Sequence, residues 1–235
     1  MAVWKTRNKL HFENKKPSLM KVLCSIKAWI RFIAPHLPGH ASGVSDCSLL
    51  KAMGVVPVPK IRRVPHLVLW HPPFVPWLKL NTDGLAKGNP GPAACGGIFR
   101  DCFGRFIGGF CVNLGHQTAF FSELMAIIIG VEFAFHFGWH HLWLESDSTS
   151  ALACLSSSSF LPPWLLRIPW LNCLAQIRAM NFYNSHILRE GNSSADRMAS
   201  LGLTSSYLIW HDTPPVEISP LLHMDVMGYP YFRVS

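Results

Sequence analysis

Hydrophobic and polar positions are unevenly patterned along this chain. Little periodicity runs through residues 35–76, whereas from Trp77 onward short apolar runs and turn signals follow each other regularly. LKLNTDG reads as a strand closing in a turn, and KGNPGPAACGG as a glycine- and proline-rich connection. GGIFRD and RFIGGFCVN read as two further strands joined by a tight turn at Cys102–Phe103–Gly104. SELMAIIIGVEFAFHFG is apolar nearly all round, the pattern of a deeply buried helix. HHLWLES is a fourth strand, and Ser148 to Ser157 a short helix capped by Asp147 or Ser148. LLRIPWLNCLAQIRAM is a further helix with Pro169 near its start, FYNSHIL a fifth strand, and SSADRMASLGL a last helix ended by Gly202. The order β-β-β-α-β-α-α-β-α predicts an α/β domain, a mixed five-stranded sheet flanked by helices.

Outside this block the pattern changes. Residues 1–17 are polar and basic and are expected to be disordered. In residues 18–34, Leu19, Val22, Leu23, Ile26, Ile30 and Ile33 share one helical face, while Lys21, Ser25, Lys27 and Arg31 lie mostly elsewhere. Such a helix suits docking on the body, on a partner or on a membrane surface, and the basic first 34 residues also fit a mitochondrial transit peptide. PHLVLWHPPFVPW (65–77) reads as a stiff, extended lead-in, because proline blocks helix and removes ladder donors. Residues 204–235, rich in proline and aromatics, show no clear element. The expected organisation is therefore a basic arm with one amphipathic helix and a linker (1–76), the α/β domain (77–203) and a tail (204–235).

Charge sharpens that division. Residues 1–70 hold twelve Lys or Arg against two acids, a net of +10, while residues 71–235 hold nine against eleven, a net of −2. A basic arm on a near-neutral body suits attraction to phosphates, or is a solvated leader. The seven cysteines are odd in number and form no CxxC pair, which argues against a disulfide framework or a zinc ribbon and for a reducing compartment, nucleus or cytoplasm. The longest apolar run, Ala126 to Phe137, is interrupted by Glu132 and His136 and falls short of a bilayer, so no membrane span is expected. No secretory signal peptide is evident.

Four carboxylates stand where predicted strands end or helices begin: Asp83, Glu123, Asp147 and Asp196. Singly, each has an ordinary structural role as turn residue, surface acid, helix cap or first-turn acid. Jointly, one topology brings them to the same edge of a sheet. Anions so close repel unless cations bind, and phosphodiester hydrolysis by two divalent ions ~3.5–4 Å apart needs just such a set. Magnesium, or manganese, suits all-oxygen ligands. Other chemistries fit less well. His136, His140 and His141 match no zinc spacing with cysteine, there is no GxSxG elbow, and neither GNPG nor GGIFRD is a Walker or dinucleotide loop.

The motifs KLNTDG, GNPG, GGIFRD, SELMA, LWLESDS and HILREGNSSADRMASLG, in that order over Trp77 to Leu203, resemble the ribonuclease H domain in its plant retroelement-derived form. The resemblance implies a magnesium-dependent endonuclease that cuts the RNA strand of an RNA–DNA hybrid, with Asp83, Glu123, Asp147 and Asp196 as its metal-binding acids and two Mg2+ or Mn2+ ions. It implies a minor-groove contact from Asn89, where the 2′-OH distinguishes RNA from DNA, and substrate contacts from Gly84, Ser148 and Asn192. The chain departs from the family in three places. Arg189-Glu190-Gly191-Asn192 stands where many members carry a loop histidine, with His186 falling earlier on a strand. Ala119-Phe120 stands where two asparagines are common, and no basic helical protrusion lies between Asp147 and Asp196. A binding module without turnover, gripping nucleic acid or a protein partner, is the alternative that Ala119-Phe120 and the apolar first helix, with Phe133, Phe135 and Phe137 free to face a partner, favour; a junction resolvase fits the GNPG turn and the REGN–AD spacing less well. With no reverse transcriptase region, the chain reads as a detached ribonuclease H fragment.

Overall fold

The structure, a computed structural model, describes residues 2–13, 18–36, 41, 43–58, 65–156 and 161–234. The chain divides into two compact units, residues 1–64 and 65–235.

The first unit is helical: α1 (Ala2–Glu13), α2 (Leu19–Ile33) and α3 (Val44–Ala52). Two sequence expectations change here. Residues 2–13 are helical rather than disordered, because they hold neither proline nor glycine and are rich in good helix formers. The aperiodic stretch after residue 35 contains α3, which begins after Gly43 and closes at Gly54 in the left-handed region (φ +74°). Arg31 Nε donates to the Met53 carbonyl at 3.0 Å, tying α2 to the end of α3. No residue of α2 is buried, and Leu19, Met20 and Phe32 stay in solvent.

The second unit is built on a six-stranded mixed sheet. Its strands are β2 (Leu78–Ala86), β3 (Gly91–Arg100), β4 (Phe106–Gln117), β5 (His141–Ser146), β6 (Asn181–His186) and β7 (Ile209–His211), in the spatial order β6-β5-β2-β3-β4-β7. β2 pairs with β5, and β5 with β6, in parallel; every other pairing is antiparallel. The helices are α4 (Ala119–His136), α5 (Thr149–Ser156), α6 (Arg167–Arg178), α7 (Ser193–Gly202) and α8 (Ser219–Val226). Two short strands, β1 (Pro65–Val68) and β8 (Tyr231–Val234), form a separate antiparallel pair.

The expected element order holds, with three differences. A sixth strand, β7, comes from the tail, and the tail also forms α8 and β8, so 204–235 is not element-free. The lead-in from residue 65 joins the same compact unit through β1. PAACGG is ladder rather than connection, since β3 starts at Gly91 directly after the GNP turn. Composition hid this, because glycine and alanine are poor strand formers. They are tolerated here because helices press on both faces: a Cβ at Gly96 would lie 2.6 Å from the Ala199 nitrogen of α7.

Strand alternation assigns the two faces. Leu80, Leu142 and Leu144 pack with Leu124, Ile127, Ile128 and Val131 of α4, and with Trp170 and Cys173 of α6, in the larger core. The opposite face carries Ile98 and Cys111, which pack with Met198 of α7 and with Ile218 and Leu222 around α8. α4 is 18 residues long and apolar enough by length and composition to cross a membrane, longer than the run read from sequence. Nine of its residues are buried in this core, which accounts for that composition.

Candidate functional site

Asp83 lies on β2, on the face that also carries Lys79 and Asn81. Asp147 follows the last residue of β5, the parallel neighbour of β2, so the two carboxylates emerge side by side. Glu123 comes from the second turn of α4. One oxygen from each of Asp83, Glu123 and Asp147 lies within 4.8 Å of the other two. The fourth acid, Asp196, is in the first turn of α7 and stands beside this trio rather than in it. Its charge reaches Asp83, and its own Oδ1 meets Arg189 Nη2 at 3.5 Å.

The helix that carries Glu123 begins earlier than the sequence suggests. Thr118 caps it, its Oγ1 accepting from Phe121 N at 3.2 Å, so Ala119 and Phe120 form the first turn rather than a preceding loop. Asn89, exposed in the GNPG turn, faces the same helix end, its Oδ1 accepting from Ala119 N at 3.3 Å. Gly84 brings helix and strand together: a Cβ there would sit 2.2 Å from the Glu123 nitrogen. Gly84 is buried, and it packs the helix against the strand. Its backbone N–H also favours the charged forms of the Asp83 and Glu123 carboxylates. Gly84→Ala is expected to lift the start of α4 off β2, cost about 3 kcal/mol in urea denaturation and scatter the acidic trio.

The remaining expected contacts have other partners. Ser148 caps α5, its Oγ accepting from Ala151 N at 3.3 Å. Asn192 is buried, donating from Nδ2 to the Thr82 carbonyl at 2.9 Å and to Asp147 Oδ1 at 3.1 Å. It therefore orients a carboxylate of the trio. His186 ends β6, exposed, and its Nε2 lies 3.2 Å from the Asp147 carbonyl oxygen, a placement that position along the chain gave no sign of.

The electrostatics favour a cation. Asp83 is pushed up to about 8, first by burial, then by the charges of Asp147 and Asp196. Glu123 is pushed up to about 9 by burial, then by Asp83 and Asp147. Arg189 and the Gly84 N–H act the other way on both, and do not offset burial. Glu123 Oε2 is buried without a hydrogen-bond partner. Three carboxylates whose oxygens approach within 4.8 Å, one of them with a buried unpartnered oxygen, form an all-oxygen donor set that fits a hard divalent ion. Among the described residues, this trio is the group of three or more acids, histidines or cysteines close enough to hold a metal.

The chain is similar to several known proteins. A family model described as reverse transcriptase-like matches residues 81–202. An Arabidopsis thaliana protein named as a ribonuclease H protein is 35% identical over 178 residues, covering 71% of this chain and 27% of that protein. The chain thus spans about a quarter of that relative's length. Among solved structures, the N-terminal RNase H domain of a Mycobacterium tuberculosis protein is 22% identical, with a TM-score of 0.50, over 54% of this chain and 93% of that one. RNase H1 of Halobacterium salinarum is 26% identical, with a TM-score of 0.49, over 54% and 97%. The mycobacterial likeness shows the fold.

Proposed function

Since the chain belongs to the reverse transcriptase-like family of ribonuclease H-like domains, we propose that it is a metal-dependent endonuclease that hydrolyses the RNA strand of RNA–DNA hybrids. The observation that carries this reading is the convergence of Asp83, Glu123 and Asp147 within 4.8 Å, with one buried oxygen of Glu123 unpartnered. Asp83, Glu123 and Asp147 would hold the divalent ions, magnesium or manganese, and Asp196 would complete the set. The ions, when bound, would activate water and stabilise the leaving oxygen.

The chain's own groups prepare that chemistry. Burial of Asp83 and Glu123 keeps their protons until a cation displaces them, so metal binding and proton release are coupled. Asn192 holds Asp147 at the mouth of β5. Arg189, mostly exposed and facing Asp196, is placed to meet a phosphate and to give up its carboxylate partner as a metal arrives. Asn89, exposed beside the start of α4, is the residue we assign to the minor groove of the hybrid. We further propose action inside the cell, in nucleus or cytoplasm, on the odd cysteine count.

The test is cleavage of labelled substrates by the full chain in magnesium. RNA-strand cutting of the hybrid, with all-DNA and all-RNA duplexes left intact, is the expected result. A second reading, a hybrid-binding module without turnover, draws on the fourth acid, Asp196, which contacts Arg189 and lies outside the trio. Hybrid retention without cutting would select it.

A further inference from the structure

Behind the acidic trio, on the face of the sheet covered by α7 and α8, lies a set of buried charges that the metal chemistry does not use. Lys79, Arg100, Glu145 and Asp225 are each at most 6% exposed. Two of them link to the site through two buried amides. Arg100 Nη1 donates to Asp225 Oδ2 at 2.5 Å, and Nη2 donates to Asn81 Oδ1 at 2.8 Å. Its guanidinium lies 3.5 Å over the Trp70 ring, and Trp70 Nε1 donates to the same Asn81 oxygen at 3.0 Å. Asp225 is held in turn by Ser194 Oγ at 3.1 Å and by Tyr231 Oη at 2.8 Å.

An amide is directional, so fixing one end fixes the other. Two donors on Asn81 Oδ1 leave its Nδ2 facing away, where it donates to Glu145 Oε2 at 3.0 Å and to Asn192 Oδ1 at 3.3 Å. With its own oxygen taken, Asn192 turns Nδ2 toward Thr82 O and Asp147 Oδ1. Reversing either amide would set oxygen against oxygen at Glu145 or at Asp147, inside a protein where an unpaired polar group is costly. The sequence Asp225–Arg100–Asn81–Asn192–Asp147 therefore has one consistent orientation.

The origin of its members matters. Trp70 precedes, and Asp225 and Tyr231 follow, the residues 81–202 that the family model matches. The strand pair β1–β8 brings lead-in and tail together beside it, and Arg233 Nη1 of β8 lies 3.9 Å from Glu190 Oε2 in the turn before Asn192.

We infer that Asp225, with Arg100 and Trp70, is a positioning group for the metal site. The segments flanking the matched block set the direction of the Asn81 and Asn192 amides, and through them aim Asp147. The inference rests on reading Asp147 as a metal ligand, and its test separates the two.

The test uses the full chain with Asp225→Asn, which keeps shape but removes charge, and Tyr231→Phe, which removes one donor from Asp225 at a half-buried position. Two quantities are read: the side-chain amide resonances of Asn81 and Asn192 without metal, and Mn2+ affinity by titration. Both variants are expected to shift the two amide resonances, Asp225→Asn the more, and to weaken Mn2+ binding, by about 10- to 100-fold for Asp225→Asn. Resonances unmoved in Tyr231→Phe and in a folded Asp225→Asn would overturn the inference. Should Asp225→Asn not fold, Tyr231→Phe decides. Should the unaltered chain bind no Mn2+, the metal reading fails by itself, and the amide resonances still decide whether Asp225 orients Asn192.

Discussion

Asp83→Asn is expected to reduce hybrid cleavage on the order of a thousandfold and, at the same time, to raise the melting temperature of the metal-free protein. The two effects have one cause. Asp83 is buried beside Glu123 and Asp147, and each charge placed there without a cation works against folding. Asparagine keeps the shape but removes a group that must stay neutral, and so take up a proton, when the chain folds, and it also removes one of the causes that push Glu123 up. A gain of a few degrees in calorimetry, with loss of cleavage, is the expected pair of results. Lost cleavage with a lowered melting temperature would make Asp83 a structural residue instead.

The same groups set a pH dependence of definite sign. Asp83 at about 8 and Glu123 at about 9 lie above the ordinary carboxylate range, so the folded protein holds their protons more tightly than the unfolded chain does. Their favourable contribution is complete below about pH 4 and is lost as pH rises through 8 to 9. Metal-free melting temperatures should therefore decline from pH 6 to pH 9, and the decline should flatten in Asp83→Asn. Cleavage should run the opposite way, increasing over that window as the carboxylates become free to bind the ion.

The trio was legible in sequence because its residues sit at element ends that periodicity locates: Asp83 before a glycine turn, Asp147 after an apolar strand. The fourth acid was legible in position but not in engagement, since its contact with Arg189 depends on the turn at 189–192. Gly84 brings α4 close to β2 and Ser148 caps α5, and only the packed neighbours reveal either role. The tail escaped because β7 and β8 are three and four residues long and owe their pairing to partners distant in sequence. Such strands carry too little alternation to be read alone. The buried charges did leave a trace. Lys79, Asn81 and Asp83 alternate with Leu80 and Thr82, as do Trp143 and Glu145 with Leu142 and Leu144, so one sheet face is polar. Polar alternation reads as solvent-facing until α7 and α8 are known to cover it.

That covered polar face should dominate stability. Lys79 Nζ meets Glu145 Oε1 at 2.9 Å with the two side chains 1% and 8% exposed, and the ammonium lies 3.8 Å over the Trp143 ring. Burial pulls the Lys79 amine down while Glu145 holds it up. Lys79→Met keeps the aliphatic stem beside Trp143 but strands a carboxylate inside the protein. It is expected to cost about 3 kcal/mol by urea denaturation, because removing one partner of a buried pair leaves an uncompensated charge. Glu145→Gln should also be costly, since it strands the ammonium and weakens the acceptor for Asn81 Nδ2. The double variant Lys79→Met/Glu145→Gln should be less destabilised than the sum of the two, and the difference measures the pair's coupling. Additive costs would mean that Lys79 is held by the indoles alone. In that case the polar face would owe its order to Arg100 of β3 and to Asp225, which reaches it from the tail.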